Sequence, residues 1–228
     1  MSEPLRIALV GATGLVGSTV IDLAVGRDDF RLTGLARREV ALPQDVRMEM
    51  FVAEPANWGD VFEAVQPRAL ICALGTTWRK AGQDEAAFRA VDYDLVLETA
   101  RAAKAHGVER MVAISSAGAS LASKVFYLRV KAEVERDLAK VRFKRLDILR
   151  PGLLRGPRST DRRPGERIGI ALSPVADLLL KRPLRSIPVQ TVAEAALGLT
   201  MRKAAGRFIH DNDGIRRAAR EFPQPVEA

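Results

Sequence analysis

The stretch VGATGLVGSTV, residues 10–20, decides how this chain folds. It sets Gly11, Gly14 and Gly17 directly behind the apolar run Leu5–Val10. Such a run reads as a buried strand, and residues Gly14 to Gly26 read as a helix. A glycine turn between a strand and a helix is the setting in which such turns wrap a dinucleotide pyrophosphate. Gly11 can take a backbone shape closed to other residues, Gly14 leaves room for a close phosphate, and Gly17 lets the helix pack on the sheet. The helix start offers free N–H groups and a positive dipole end. A plain tight turn is the competing reading.

Strand and helix alternate onward from that turn. Arg31–Ala36 and Val46–Val52 read as strands, and Asn57–Val65 as a short helix with Asn57 as N-cap. Ala69–Leu74 reads as the fourth strand. One long helix is expected over Asp84–Ala105, closed by Gly107. Val108–Ser115 reads as a strand, Ser123–Ala139 as a helix and Arg145–Leu149 as a sixth strand. This order predicts an α/β fold, a doubly wound parallel sheet of Rossmann-like type. After Pro151, Gly, Pro and Arg dominate to Gly169. Helical stretches follow near 168–180 and Thr191–Arg202, then a short strand at Gly206–His210 and a frayed tail from residue 224. No repeat or linker divides the chain, so a single domain over 1–228 is expected, with 152–205 as a substrate-side cap.

Composition agrees. The 228 residues are 47% hydrophobic but only 5% aromatic, so the core must be built from Val, Leu, Ile and Ala, as parallel sheets are. One cysteine, Cys72, excludes an internal disulfide and a Cys-rich metal site; no metal is expected. A reducing, cytoplasmic location is the expectation. MSEPLRIALV lacks the basic start and long apolar segment of a secretory signal, and no apolar run nears the roughly 20 residues that cross a bilayer. The net charge of +8 is spread along the chain, denser at Arg37–Arg38, Arg155–Arg167 and Arg202–Arg220. It reads as a solvated basic surface plus an anionic-ligand site rather than a nucleic-acid surface.

The second strand ends in GLARRE, residues 34–39. An acid there would bind an adenosine ribose hydroxyl; Arg37 and Arg38 suit a 2′-phosphate instead, which predicts NADP over NAD. Further on, AISSAGAS (113–120) closes the fifth strand, and SKVFYLRVKAEVE (123–135) follows. Tyr127 and Lys131 are four apart and share one helix face. An ammonium beside a phenol favours the phenolate. A hydroxyl from Ser115 or Ser116 could hold a substrate oxygen beside that phenol while a nicotinamide carries hydride.

These motifs resemble the short-chain dehydrogenase/reductase superfamily, in its small atypical members, and within it the Tat-interacting-protein group of NADP-binding oxidoreductase-like proteins. Besides the segments above, the resemblance rests on CALGTTWRKAG (72–82), LRPGLLRGPR (149–158), RRPGE (162–166) and SIPVQTVAEAAL (186–197). It implies that Gly11, Thr13, Gly14, Leu15 and Val16 lie along the pyrophosphate. It sets Arg37 and Arg38 at the 2′-phosphate, and Leu74, Gly75 and Thr76 along the adenosine and ribose. Pro151, Gly152 and Leu153 lie against the nicotinamide. Tyr127 is then the acid/base, Lys131 binds the nicotinamide ribose and tunes the phenol, and Ser116 or else Ser115 is the serine partner. Two features depart from the commonest members: Asp92 stands near the place of an asparagine, and the gap from Ser116 to Tyr127 is short.

Other residues read more simply. Asp92 and Asp94 read as solvated helix residues, with a carboxylate pair as the alternative. Cys72 is expected to be core, and His106 to suit a helix C-terminus; His210 has no evident partner. Trp78, Arg79 and Lys80 read equally as substrate contacts or an exposed loop. Arg155, Arg158, Arg162 and Arg163 read equally as a clamp for an acidic substrate or as solvated charge. The expected function is an NADP-dependent oxidoreductase acting on a small carbonyl or alcohol, as a monomer or small homo-oligomer. The alternative is an NADP-holding regulator that meets a protein partner with little turnover.

Overall fold

The computed structural model describes residues 3–40, 42–44, 46–156 and 185–223. The expected helix near 168–180, Arg158, Arg162, Arg163 and the tail from 224 lie outside them. In chain order the strands are β1 (Leu5–Val10), β2 (Phe30–Ala36), β3 (Met48–Val52), β4 (Ala69–Cys72), β5 (Arg110–Ile114), β6 (Arg145–Leu149), β7 (Leu154–Arg155), β8 (Ile187–Pro188) and β9 (Gly206–His210). Seven of them form one sheet in the order β3-β2-β1-β4-β5-β6-β9, every pair parallel. Strands β7 and β8 pair separately.

The helices are α1 (Leu15–Asp22), α2 (Trp58–Val65), α3 (Glu85–Arg89), α4 (Leu95–Ala105), α5 (Phe126–Lys140), α6 (Val189–Met201) and α7 (Asn212–Arg220). Both sheet faces are covered. Ile7 and Leu9 point into a core with α1, α6 and α7, while Ala8 and Val10 point into a second core with α2, α4 and α5. Burial on both sides explains why the central strands β1 and β4 carry nearly continuous apolar runs instead of alternation. The direction of winding reverses between β1 and β4, and ligands of such sheets bind above the carboxyl ends at that point. The glycine turn leaves β1 there.

The expected long helix over 84–105 is interrupted. Asp84 caps α3 by accepting from the Ala87 N–H at 2.6 Å. Residues Ala90–Asp94 then form one π turn, in which the Leu95 N–H donates to the Ala90 carbonyl. The wider turn rotates Asp92 into the interior. Asn57 does not cap α2 with its side chain; a 3₁₀ turn over Pro55–Asn57 leads into the helix instead. Strand β4 ends at Cys72, which leaves Leu74–Thr76 as loop.

Helix α7 lies in a stretch, between the strand at Gly206–His210 and the tail, to which the sequence reading assigns no element. Its signals are present at both ends: Asp211 accepts from the Gly214 N–H at 2.8 Å, and Arg217 and Arg220 sit in the last turn. Between them Ile215, Ala218 and Ala219 form a buried stripe. His210 does have a partner, because β9 lies beside β6. Its Nε2 sits 2.8 Å from Asp147 Oδ1, and Asp147 is also gripped by the Arg145 fork at 2.6 and 2.9 Å.

Candidate cofactor and proton-transfer site

The glycine turn is closed tightly. Gly11 has φ +91°, and a Cβ there would lie 2.5 Å from the Ala73 carbonyl. A Cβ on Gly17 would lie 2.2 Å from the Gly11 carbonyl oxygen. The Gly14 N–H donates to that same oxygen at 3.0 Å. Among the described residues no side chain caps α1, so its first N–H groups are left without a partner from a cap. Val16 turns its side chain into the core and Leu15 packs at its edge; what they offer a ligand is backbone.

A cleft of about 450 Å³ opens beside the turn, lined by Gly11, Thr13, Arg37, Arg38, Glu54 and Leu74 among others. That volume is in the range of small-molecule sites. Arg37 and Arg38 are exposed at the end of β2. The glycine cradle, the uncapped helix start and the basic wall fit a dinucleotide.

Tyr127 and Lys131 lie one turn apart on α5, with the Lys131 ammonium 6.0 Å from the centre of the Tyr127 ring. Phe88 packs edge-on against that ring at 5.6 Å, and Trp78 and Phe126 extend the aromatic wall. The only other tyrosine, Tyr93, donates to Asp137 Oδ2 at 2.8 Å instead. Leu74 lines both the cofactor cleft and a small cavity of about 10 Å³ that Lys131 also lines. That shared residue joins the two halves of the site.

Asp92 is fully buried, contrary to the solvated reading; Asp94 is exposed as expected. Asp92 Oδ1 stands 2.7 Å from Lys131 Nζ, and its Oδ2 accepts from the Thr76 N–H at 2.7 Å. Burial pushes the Lys131 ammonium down, but the Asp92 carboxylate, followed by Tyr127, together outweigh it and raise its pKa. Nothing in the local sequence pattern marks Asp92 for this; only the π turn puts it there.

The two serines separate. Ser115 Oγ donates to Glu135 Oε1 at 2.5 Å. Glu135 lies one turn beyond Lys131, and Arg150 forks onto its carboxylate. Among the described residues, Ser116 Oγ makes a single 3.3 Å contact, with the Ala117 carbonyl. The segment after β6 runs alongside: the Ala117 N–H donates to the Pro151 carbonyl at 2.8 Å. The Gly152 N–H donates to Asn212 Oδ1 at 2.9 Å. Asn212, from the helix missed in the sequence, thus fixes the Pro151–Leu153 segment. Arg155 is half-buried, and its Nε is buried without a hydrogen-bond partner among the described residues. Trp78 packs in the aromatic wall, while Arg79 and Lys80 are exposed.

Cys72 is buried, as expected, and burial pushes its thiol up to about 11. A thiol at that value carries almost no thiolate near neutrality. The folded chain should therefore resist iodoacetamide at mildly alkaline pH and take one equivalent only after denaturation. Rapid native labelling, read by intact mass, contradicts this placement of Cys72.

Comparison with solved structures places the fold. A chain described as MoeE5, solved with UDP-glucose and NAD, superposes with TM-score 0.69 at 17% identity, covering 90% of this chain and 75% of that one. A UDP-glucose 4-epimerase from Thermus thermophilus, solved with NAD, superposes with TM-score 0.66 at 19% identity, covering 95% and 83%. The chain has the Rossmann-like fold of these short-chain dehydrogenase/reductase-type epimerases.

Family comparison narrows this. A profile described as HIM1 matches residues 60–182. Protein FMP52, mitochondrial, of Saccharomyces cerevisiae is 35% identical over 160 residues, 69% of each chain. The fmp52 protein of Aspergillus fumigatus is 37% identical over 169 residues, 71% of each. The chain belongs to the HIM1 family, with the FMP52 proteins as relatives. These relatives correct the cytoplasmic expectation, since they are named as mitochondrial proteins. A single buried cysteine fits any reducing compartment and does not choose among them.

Proposed function

We propose that this chain is an NADP-dependent oxidoreductase that exchanges hydride with a small carbonyl or alcohol. The observation that carries the reading is the juxtaposition of the Tyr127–Lys131 ladder with the glycine cradle, joined through Leu74. Kinship with the Tat-interacting-protein group rests on the motifs quoted above and is part of the same proposal, as is the role of 152–205 as a substrate-side cap.

The bound nicotinamide would supply or accept the hydride. In reduction, the Tyr127 hydroxyl gives its proton to the carbonyl oxygen as that oxygen gains charge. The Lys131 ammonium stabilises the phenolate left behind. Ser116 donates a hydrogen bond to the same oxygen, because Ser115 is already spent on Glu135. In oxidation the proton returns to Tyr127. Gly11, Thr13, Gly14, Leu15 and Val16 hold the pyrophosphate through backbone. Leu74, Gly75 and Thr76 hold the adenosine and ribose, and Pro151, Gly152 and Leu153 the nicotinamide.

Preference for NADP rests on Arg37 and Arg38; the two neighbours described above, both solved with NAD, are only 17% and 19% identical. Calorimetry should give NADPH at least about tenfold tighter binding than NADH, the scale of a charge-assisted hydrogen bond pair. The double substitution R37A/R38A should erase that margin and leave NADH binding nearly unchanged. An unaltered chain that prefers NADH refutes the NADP assignment. A panel of small aldehydes and ketones followed by NADPH absorbance tests turnover. Tight NADPH binding with silence across the panel favours the regulator reading.

A further inference from the structure

We propose that Asp92 is the positioning residue of this site, the counter-ion that keeps Lys131 charged and fixed beneath the cofactor loop. Lys131 is only 6% exposed and Asp92 is 0% exposed. An ammonium so deeply withdrawn from water needs an anion beside it or it gives up its proton. The groups around it leave one candidate. Glu135, a turn along α5, is occupied by the Arg150 fork and the Ser115 hydroxyl. Cys72, from β4, stays a neutral thiol. Tyr127 is the phenol that the ammonium serves, and Ser115 from β5 is neutral. Asp92, at 2.7 Å, supplies the charge.

The second Asp92 oxygen explains the positioning. It accepts from the Thr76 N–H at 2.7 Å, so one carboxylate ties α5 to the loop after β4. Gly75 makes this possible: a Cβ there would stand 3.4 Å from Asp92 Oδ1 and 3.7 Å from Lys131 Nζ. The π turn over Ala90–Asp94 is what brings the carboxylate inward, and such turns recur at functional sites. Asp92 Oδ1 holds the ammonium as an ion pair at 2.7 Å, and the ammonium's three donors leave N–H groups for the ribose and the phenol.

The pairing also sets a pH dependence. A lysine whose pKa is raised on folding holds its proton more tightly in the folded chain. The stability this adds is fully present below the ordinary lysine range and is lost as pH climbs through the raised value.

The test is the Lys131 Cε resonance, followed by NMR against pH and assigned by difference from K131R. In the unaltered chain it should titrate above the ordinary lysine value of about 10.4. In D92N, which keeps the size and the Thr76 contact, the transition should fall by about two pH units or more. D92E, which keeps the charge, should recover part of the shift. NADPH affinity of D92N should weaken as pH rises from neutrality to about 9, where the unaltered chain holds its affinity. An unmoved Lys131 transition in folded D92N overturns the proposal. If D92N does not fold, D92N/K131M decides it: removing both charges should restore folding, and no restoration overturns the proposal. The inference rests on the oxidoreductase reading only for its consequence at the cofactor. The titration needs neither cofactor nor substrate, so failure there leaves the Tyr127 assignment standing, and failure of Y127F leaves this one standing.

Discussion

A Tyr127→Phe chain is expected to fold normally, bind NADPH as before, and lose turnover by about 10²–10⁴-fold, the usual share of a general acid. The substitution removes one hydroxyl and nothing else. The ring of residue 127 keeps its edge-on contact with Phe88 at 5.6 Å and its place above the Lys131 stem. Its hydroxyl has no protein hydrogen-bond partner among the described residues, so no buried group is left unpaired by its loss. The effect should thus appear in kcat and not in cofactor affinity, which separates proton transfer from binding. Steady-state rates on whichever carbonyl the panel yields, with NADPH titration alongside, give the answer. Full activity in the Phe chain means that another group moves the proton.

The second large effect is expected at Gly17. An alanine Cβ there would meet the Gly11 carbonyl oxygen at 2.2 Å, the Gly11 carbonyl carbon at 2.8 Å and Ala12 Cα at 2.9 Å. All three are backbone atoms, and none can swing aside as a side-chain tip can. That carbonyl also holds the Gly14 N–H, so displacing it opens the cradle. Gly17→Ala should cost about 3 kcal/mol, the upper range of overpacking, and lower Tm by about 6–12 °C in a chain of this size. NADPH affinity should fall with it. Gly26→Ala is the control: φ is +70° but nothing lies within 4 Å. It carries backbone strain alone, about 1–2 kcal/mol. Equal melting of the two variants would mean that the close approach at Gly17 contributes nothing.

The sheet was legible because its signals are local. The central strands β1, β4 and β5 are short, mostly apolar and mostly buried runs, the helices carry periodic stripes, and a turn or cap separates the elements within a few residues. The glycine turn, the arginines ending β2 and the Tyr127–Lys131 spacing are local in the same sense. Helix α7 was missed although Asp211 and the arginines of its last turn were in view, because its buried stripe is only three residues, Ile215, Ala218 and Ala219. The stretch 84–105 reads as one continuous helix because a π turn inserts one residue without changing composition.

What the sequence determined by itself is the alternation of strand and helix, the cradle behind β1 and the phenol–ammonium ladder, since each depends on residues no more than about a turn or two apart. What only the tertiary structure decided are the partners brought in from elsewhere in the chain. Asp92 reaches Lys131 across 39 positions, Ser115 rather than Ser116 is taken by Glu135 across 20, and Asn212 fixes Gly152 across 60. Asp147 finds His210 across 63. The reason is physical. A buried charge or hydroxyl must be paired, but which partner pairs it follows from strand order and helix rotation, and those are settled by packing rather than by neighbours in the chain.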